Sequence, residues 1–334
     1  MKVLVTGGAG YVGSHAVRAL VAAGHDVVVY DNLSAGHRQA VSPKARLIEG
    51  DLSDAAKLDA LLKAERVDAA MHFAAFIEVG ESVKEPLKFY ENNVANSVRL
   101  LDALRQNDVR RFVFSSTCAI FGTPEKMPLV EDTPMSPASP YAKNKLVVEW
   151  ALADSAAAWG LGFVALRYFN AAGAAADGTI GEDHDPETHL IPNVLKVALG
   201  QRDVIRVFGT DYPTPDGTCV RDYVHVEDLA DAHVKALEVL KPGEMRYYNT
   251  GTGRGASVRE VVEVSRKVTG HPIPLLEEGR RAGDVPTLYA DSSLIQKELG
   301  WRPRYTELHD IVASAWRWHS SHPDGYGDRR PKRT

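Results

Sequence analysis

A doubly wound α/β fold, a mainly parallel sheet of the Rossmann type with a smaller C-terminal α/β lobe, is predicted by three features of the sequence. Short, almost continuously apolar runs alternate with helical stretches, as strands buried on both faces require. The first run passes straight into a glycine-rich turn that opens a helix. The second run ends in an acidic residue, Asp31.

In chain order, strand-like runs fall at residues 3–6, 27–30, 46–48, 69–73, 112–115 and 163–167, with helical stretches at 13–23, 54–65, 83–106 and 140–159 between them. After Asn170 the rhythm breaks. Residues 171–221 are rich in Gly, Pro and Asp, with a helix at 192–199 and a short strand at 205–208. A helix at 226–240 and a strand at 247–250 read as a return to the first lobe. Helices at 258–269, 294–299 and 308–319 belong to the smaller one. This gives a nucleotide-binding domain over 1–170 with a returning segment about 222–250, and a substrate domain from 171–221 and 251–327. The basic, proline-broken stretch 328–334 reads as a disordered tail.

The chain has 334 residues, 44% apolar and 25% charged, an ordinary globular composition with ample material for a core. A net charge of −5 and the lack of an internal basic run argue against a nucleic-acid surface. Two cysteines, Cys118 and Cys219, are too few for a disulfide framework, and no metal is expected. No apolar run approaches the roughly 20 residues of a membrane span. The opening MKVLVTGG is a strand entering a turn, so no signal peptide is expected and the location is read as cytoplasmic.

Glycines 7, 10 and 13 follow the first strand. Gly7, Gly10 and Gly13 permit a tight turn and close approach of the backbone to a pyrophosphate, which the N–H groups of the following helix attract. Asp31, 18 residues after Gly13, suits the ribose hydroxyls of NAD and would repel the extra phosphate of NADP. Asp51 ends the third run and either accepts from the adenine amino group or caps the next helix. His72 reads as a packed strand residue rather than a base. Phe73-Ala74-Ala75 ends the fourth run with small residues, leaving room for a cofactor.

Residues 140–146 read PYAKNKL, placing Tyr141 and Lys145 on one helix face. A free phenol, with a pKa near 10, is a poor base at neutral pH. An ammonium and a cationic nicotinamide ring beside it would both favour phenolate. The run FVFSST ends in Ser115, Ser116 and Thr117, and Thr117 could bond the same substrate oxygen.

Further motifs run along the chain: YDNLSAGH, HFAAFIEVGESV, FYENNV, FSSTCAIFG, LRYFNAAGA, RVFGTDYPTPDGTCVRDYVHVEDLADAH, YNTGTG, RRAGDVP and ELGWRPRY. With TGGAGYVGSH and SPYAKNKLVVE they cover about residues 1–327 and resemble the extended short-chain dehydrogenase/reductase superfamily, specifically its UDP-glucose (UDP-galactose) 4-epimerase family. PTPDGTCVRDYVH is the most specific. The resemblance implies reversible C4 epimerisation of UDP-glucose and UDP-galactose through a 4-keto sugar, with tightly retained NAD, and a homodimer. It assigns Tyr11, Val12, Asp31, Asn32, Ser34 and Gly36 to the adenosine and pyrophosphate half of NAD. Asp51 and Leu52 fall to the adenine, and Phe73, Ala75, Asn92 and Phe169 lie further along the cofactor. Thr117, Tyr141 and Lys145 match the catalytic group, with Lys145 also reaching the nicotinamide ribose. Asn170, His189, Leu190, Arg206, Val207, Phe208, Arg221, Arg281, Asp284 and Leu288 match the UDP-sugar site.

Three departures stand out. Ile77 takes the place of a lysine that reaches the cofactor phosphates in some relatives, and His189 takes that of an asparagine. Leu288 stands where some relatives carry tyrosine; a smaller wall leaves room for an N-acetyl group. The alternative is therefore a bifunctional or hexosamine-preferring UDP-GlcNAc/UDP-GalNAc 4-epimerase. A dehydratase would need an acid after Thr117, where Cys118 stands. A non-catalytic NAD sensor would have no use for an intact Thr117, Tyr141 and Lys145.

Overall fold

The computed structural model describes residues 1–281 and 284–328. The first lobe runs β1 (Lys2–Thr6), α1 (Tyr11–Ala22), β2 (Asp26–Asp31), β3 (Arg46–Glu49), α2 (Ala55–Glu65), β4 (Ala69–His72), α3 (Val79–Lys84), α4 (Pro86–Phe89), α5 (Asn96–Gln106), β5 (Arg111–Thr117), α6 (Pro140–Trp159) and β6 (Gly162–Tyr168). The chain continues through β7 (Asn170–Ala172), α7 (Leu190–Ala198), β8 (Ile205–Phe208), β9 (Val220–His225), α8 (Val226–Val239) and β10 (Met245–Thr250). It closes with β11 (Gly255–Ser257), α9 (Val258–Thr269), β12 (Leu275–Glu278), β13 (Thr287–Leu288), α10 (Ser293–Leu299) and α11 (Leu308–Ser321).

Seven parallel strands form the main sheet in the order β10-β6-β5-β4-β1-β2-β3. The chain reverses its direction of travel at β1 and β4, so a crevice opens beyond their carboxyl ends, where such folds bind ligands. Successive residues of β1 feed opposite cores. Val3 and Val5 pack with Val17 of α1 and Leu229 and Leu237 of α8, while Leu4 packs with Leu58 of α2, Leu104 of α5 and Val148 of α6. Burial on both sides is why β1 shows no polar alternation.

The second lobe has its own sheet around β9, which pairs parallel to β7 and β13 and antiparallel to β11. A further parallel pair joins β8 to β12. Val194, Val261, Val262 and Val312 fill the core among α7, α9 and α11. One residue separates β6 from β7, and β9 ends where α8 begins. His225 belongs to both, because its Nδ1 accepts from Glu227 N–H at 3.1 Å and caps α8.

Three expectations need correction. The predicted helix over 83–106 is broken. Glu85 precedes Pro86 and leaves helical geometry, and a wide π turn at Tyr90–Ala95 leads into α5. The return to the first lobe starts at α8, because Val220–His225 is the central strand of the second sheet. The tail's first residue, Asp328, is held 2.6 Å from His37; the rest of that tail, 329–334, lies outside the described residues. Among the described residues no helix is long and apolar enough to cross a membrane.

Candidate active site

The glycine turn leaves β1 with Gly7 at φ +74, a left-handed conformation that glycine adopts at no steric cost. A Cβ on Gly7 would lie 2.4 Å from Ala74 N, and one on Gly13 2.1 Å from the Gly7 carbonyl oxygen. The turn is thus pressed against the end of β4 and the start of α1. Around Gly10, by contrast, a Cβ would meet only the Gly7 carbonyl oxygen, at 3.4 Å. Backbone is open there, and Gly10 is the N-cap of α1 with no side-chain cap, so the first N–H groups of the helix stay available to phosphate. Val12 lies in this first turn. The Tyr11 hydroxyl donates to the Gly173 carbonyl at 2.7 Å, so Tyr11 can serve the cradle only through its backbone.

Asp31, buried at the end of β2, accepts from Ala9 N–H at 2.9 Å and Leu33 N–H at 2.8 Å. Burial raises its pKa and the two amides oppose the shift. One lone pair on each oxygen remains for a ribose hydroxyl. Gly36 lies against Ala9, and Ser34 N–H is held by the Asn32 side chain. Asp51 accepts from Ser53 N–H and the Asn32 amide at 2.8 and 2.7 Å. The side-chain cap of α2 is Asp54, so Asp51 is not that cap; its carboxylate is held in the turn by Asn32 and Ser53. Leu52 is buried beside it in the α2–α5 core. The Phe73 ring packs against His233, 4.7 Å between centroids, and Asn92 lies in the π turn, its amide donating to Asn93 at 2.9 Å. His72 is bonded to Thr6 and Ser97 and burial pulls its pKa down to about 3, as suits a packed strand residue. These groups fit a dinucleotide.

Ser139 caps α6 and Pro140 occupies its first turn, which starts the helix one residue before Tyr141. The Tyr141 phenol lies beside the Thr117 hydroxyl at the carboxyl end of β5, close enough for that hydroxyl to favour its ionised form. One turn along, Lys145 Nζ donates to the Ser115 carbonyl at 2.7 Å and lies 6.0 Å from the Tyr141 ring centre. A further turn along, Glu149 binds Ser116 Oγ and the Arg167 guanidinium, both side chains 2% exposed. The expectation of a lysine-stabilised phenolate is corrected for the chain alone. Burial pushes the phenol well above its ordinary value, Tyr168 adds to this, and only the Thr117 hydroxyl opposes it. Burial also brings Lys145 down to about 7, with Glu149 acting against it. A phenolate needs positive charge arriving with a ligand.

The substrate candidates divide. The Arg221 guanidinium, half-buried on β9, bonds only the Val220 carbonyl and has no carboxylate within 4.0 Å among the described residues. An unpaired fork of this kind suits a diphosphate. Asn170 donates to the Asp222 carbonyl at 3.2 Å and so lies beside it. Arg281 pairs with Asp284 at 3.1 Å and covers the Phe208 ring at 4.9 Å. Arg206 points outward to Glu278, and Val207 is 1% exposed, so their expected contacts are corrected: strand alternation turns one side chain away and buries the other. Leu288 packs with Phe121 and Phe169 in one apolar cluster. His189 precedes Leu190 at the start of α7 and is engaged by Glu182 and Glu187.

Sequence reasoning missed Glu149 and Ser82, whose Oγ accepts from Tyr141 N–H at 3.2 Å. It also assigned no metal, whereas Glu182, His184, Glu187 and His189 bring ligand atoms within 4.8 Å of one another. The clustered acids and imidazoles of GEDHDPETH carried that signal.

A dinucleotide cradle, a Tyr–Lys pair at the strand ends and an unpaired arginine across the crevice define a nucleotide-dependent enzyme that works on a hydroxyl or carbonyl. Residues 3–251 match the NAD dependent epimerase/dehydratase family, and the chain belongs to it. It is 51% identical over 330 residues to a UDP-glucose 4-epimerase of Lactobacillus helveticus, covering 98% of this chain and all of that one. Its structure resembles that of UDP-glucose 4-epimerase from Brucella ovis in complex with NAD, with a TM-score of 0.91, 48% identity, and 94% and 97% of the two chains covered. The Bifidobacterium longum enzyme in complex with NAD+ and UDP superimposes with a TM-score of 0.94 at 38% identity, over 98% and 100% of the chains.

Proposed function

We propose that this chain interconverts UDP-glucose and UDP-galactose by inversion at C4, with retained NAD as cofactor. The observation that carries the reading is the placement of Tyr141 one helical turn from Lys145, whose ammonium lies 6.0 Å from the phenol ring centre, beside Thr117 at the end of β5. The first lobe, 1–170 with α8 and β10, takes NAD; 171–221 and 251–327 take the UDP-sugar. NAD, when bound, supplies a reversible hydride acceptor and a positive ring beside the phenol. Tyr141 then takes the proton of the 4-hydroxyl and later returns it, while Thr117 steadies the oxygen as it becomes a carbonyl. Lys145 is anchored by the Ser115 carbonyl one turn from Tyr141, where it would reach the nicotinamide ribose. Arg221, Asn170 and the start of α7 hold the diphosphate, so binding energy comes from a part of the substrate remote from C4. With the diphosphate held at this remote end, a 4-keto sugar would be free to turn about its diphosphate link, so that hydride could be returned to its other face.

The test is conversion of UDP-galactose and of UDP-N-acetylgalactosamine in parallel, without added NAD, read from the anomeric protons by NMR. Conversion of UDP-galactose supports the reading. No epimer from either sugar, even with NAD supplied, overturns it. Tyr141→Phe should lose turnover by at least about 100-fold while keeping bound NAD; unchanged turnover would remove Tyr141 from the mechanism.

Two unpaired cysteines support a cytoplasmic location. Val83, Leu87 and Val98 with Trp150 of α6, exposed by 63, 80, 49 and 59%, support a homodimer through these helices. Light scattering on the eluted protein should give twice the chain mass of 36.4 kDa; a monomer at all concentrations refutes the dimer.

A further inference from the structure

The segment between β7 and α7 contains Glu182, His184, Glu187 and His189, and only His189 has a place in the site described above. Their side chains turn toward one another. His184 Nδ1 lies 3.2 Å and His189 Nδ1 2.9 Å from the same Glu182 oxygen. Glu187 presents one oxygen to His189 at 3.1 Å and the other to His184 at 3.7 Å. Both carboxylates are buried, with side chains 4% and 1% exposed.

An ordinary ion-pair network would satisfy each buried atom with an aligned hydrogen bond. Here Glu182 Oε1 and His184 Nδ1 face each other at 3.2 Å without forming one, and both are left unpartnered among the described residues. Two imidazoles also present the same nitrogen to one oxygen. His189 Nδ1 is hydrogen-bonded to Glu187 Oε1 at 3.1 Å, and one ligand atom from each of the four residues lies within 4.8 Å of the others. A zinc ion with bonds of about 2.0–2.1 Å in tetrahedral geometry separates its ligand atoms by roughly 3.3 Å. The two imidazole nitrogens stand 3.2 and 2.9 Å from the shared Glu182 oxygen, near that edge length, and all four ligand atoms lie within 4.8 Å of one another, a set that a bound ion would draw together. Glu187 is oriented from behind by the backbone N–H groups of Thr188 and His189, each 2.8 Å from its Oε1, the kind of outer support that metal-binding carboxylates carry.

We propose that Glu182, His184, Glu187 and His189 form a binding site for a divalent transition metal, with zinc the ion that fits. Two imidazoles and two carboxylates without thiolate suit zinc and its neighbours and disfavour calcium and magnesium, which take oxygen ligands. All four tetrahedral positions are filled by protein, so the ion is structural and does not activate water. It ties the chain entering α7 to the wall behind the glycine turn, where the His184 ring meets Tyr11 edge-on at 6.2 Å between centroids.

The test uses the full chain purified with zinc present and then washed free of loose metal. Elemental analysis is expected to give about one zinc per chain, and zinc removed by a chelator should return with a single saturable transition in calorimetry. Cobalt(II) in its place should give the visible bands of a four-coordinate nitrogen–oxygen site. Glu182→Gln and His184→Ala should each lower zinc retention at least tenfold; the milder Glu182→Gln keeps the shape if His184→Ala fails to fold. Less than about a tenth of a zinc per chain with no saturable uptake overturns the site, leaving a charge network. Full zinc retention in both variants also overturns it, because the ion would then be held elsewhere. Neither result bears on the epimerase reading.

Discussion

Replacing Glu149 with Gln tests whether the site rests on a buried charge pair. Glu149 accepts from Ser116 Oγ at 2.5 Å and from Arg167 Nε and a terminal nitrogen at 3.1 and 2.7 Å. The Arg167 guanidinium lies between the Phe121 and Tyr247 rings, 5.6 and 4.6 Å from their centres, so water cannot replace the lost carboxylate. Breaking a buried pair from one side leaves an uncompensated charge and costs about 3–5 kcal/mol. That is about a fifth or more of the roughly 5–15 kcal/mol that holds most domains together. Urea unfolding followed by circular dichroism should show the loss as a lower midpoint with an unchanged slope. The double variant Glu149→Leu with Arg167→Met removes both charges and should lose less than the single variant. Glu149 also opposes the burial that lowers Lys145. Its removal should therefore move the lysine further below about 7, readable in the pH profile of kcat/KM. A loss under about 1 kcal/mol in Glu149→Gln, or a double variant as unstable as the two singles combined, would refute the reasoning.

Arg221→Ala should raise KM for the UDP-sugar, because a charge-assisted hydrogen bond is worth about 1.5–3 kcal/mol, roughly 10- to 100-fold; steady-state kinetics with an unchanged KM would remove it from the diphosphate site. Acid should destabilise the fold through four buried histidines. Burial lowers His15 and His233 to about 4 and His72 and His225 to about 3. Their folded pKa lies below the unfolded 6.5, so the unfolded chain binds more protons between these values. The stability they contribute is complete above pH 6.5 and falls by about 1.4 kcal/mol per group per pH unit below it. Melting temperatures from pH 7 to 5 should fall steeply; a flat profile would contradict this.

The nucleotide-binding half was legible because its strands are buried on both faces and announce themselves as unbroken apolar runs. Residues 140–159, 205–208 and 258–269 were bounded correctly, helped at the two helices by Ser139 and Ser257 caps and by Gly160 and Gly270 at the ends. The second sheet was not legible. VRDYVH carries an arginine, an aspartate and a histidine through its central strand because Asp222 and His225 are consumed by internal hydrogen bonds, to Thr252 and to Ser314. Periodicity records polarity without showing that it is satisfied. The same blindness hid the Glu149–Arg167 pair, since Glu149 lies on α6 and Arg167 on β6, and only the packing of that helix on the sheet brings them together. The Tyr141–Lys145 pair was legible because both members share one helical turn, but their charge states depend on burial, which spacing does not encode.

The join at His225, where β9 passes into α8 without an intervening residue, bears on how this enzyme could be re-engineered. With β6 and β7 one residue apart as well, two of the crossings between the halves run through regular structure, while a third, between β10 and β11, runs through residues 251–254. A residue inserted at either of the first two would shift a strand end or the His225 cap of α8, so a re-engineered enzyme keeps both joins at their present length.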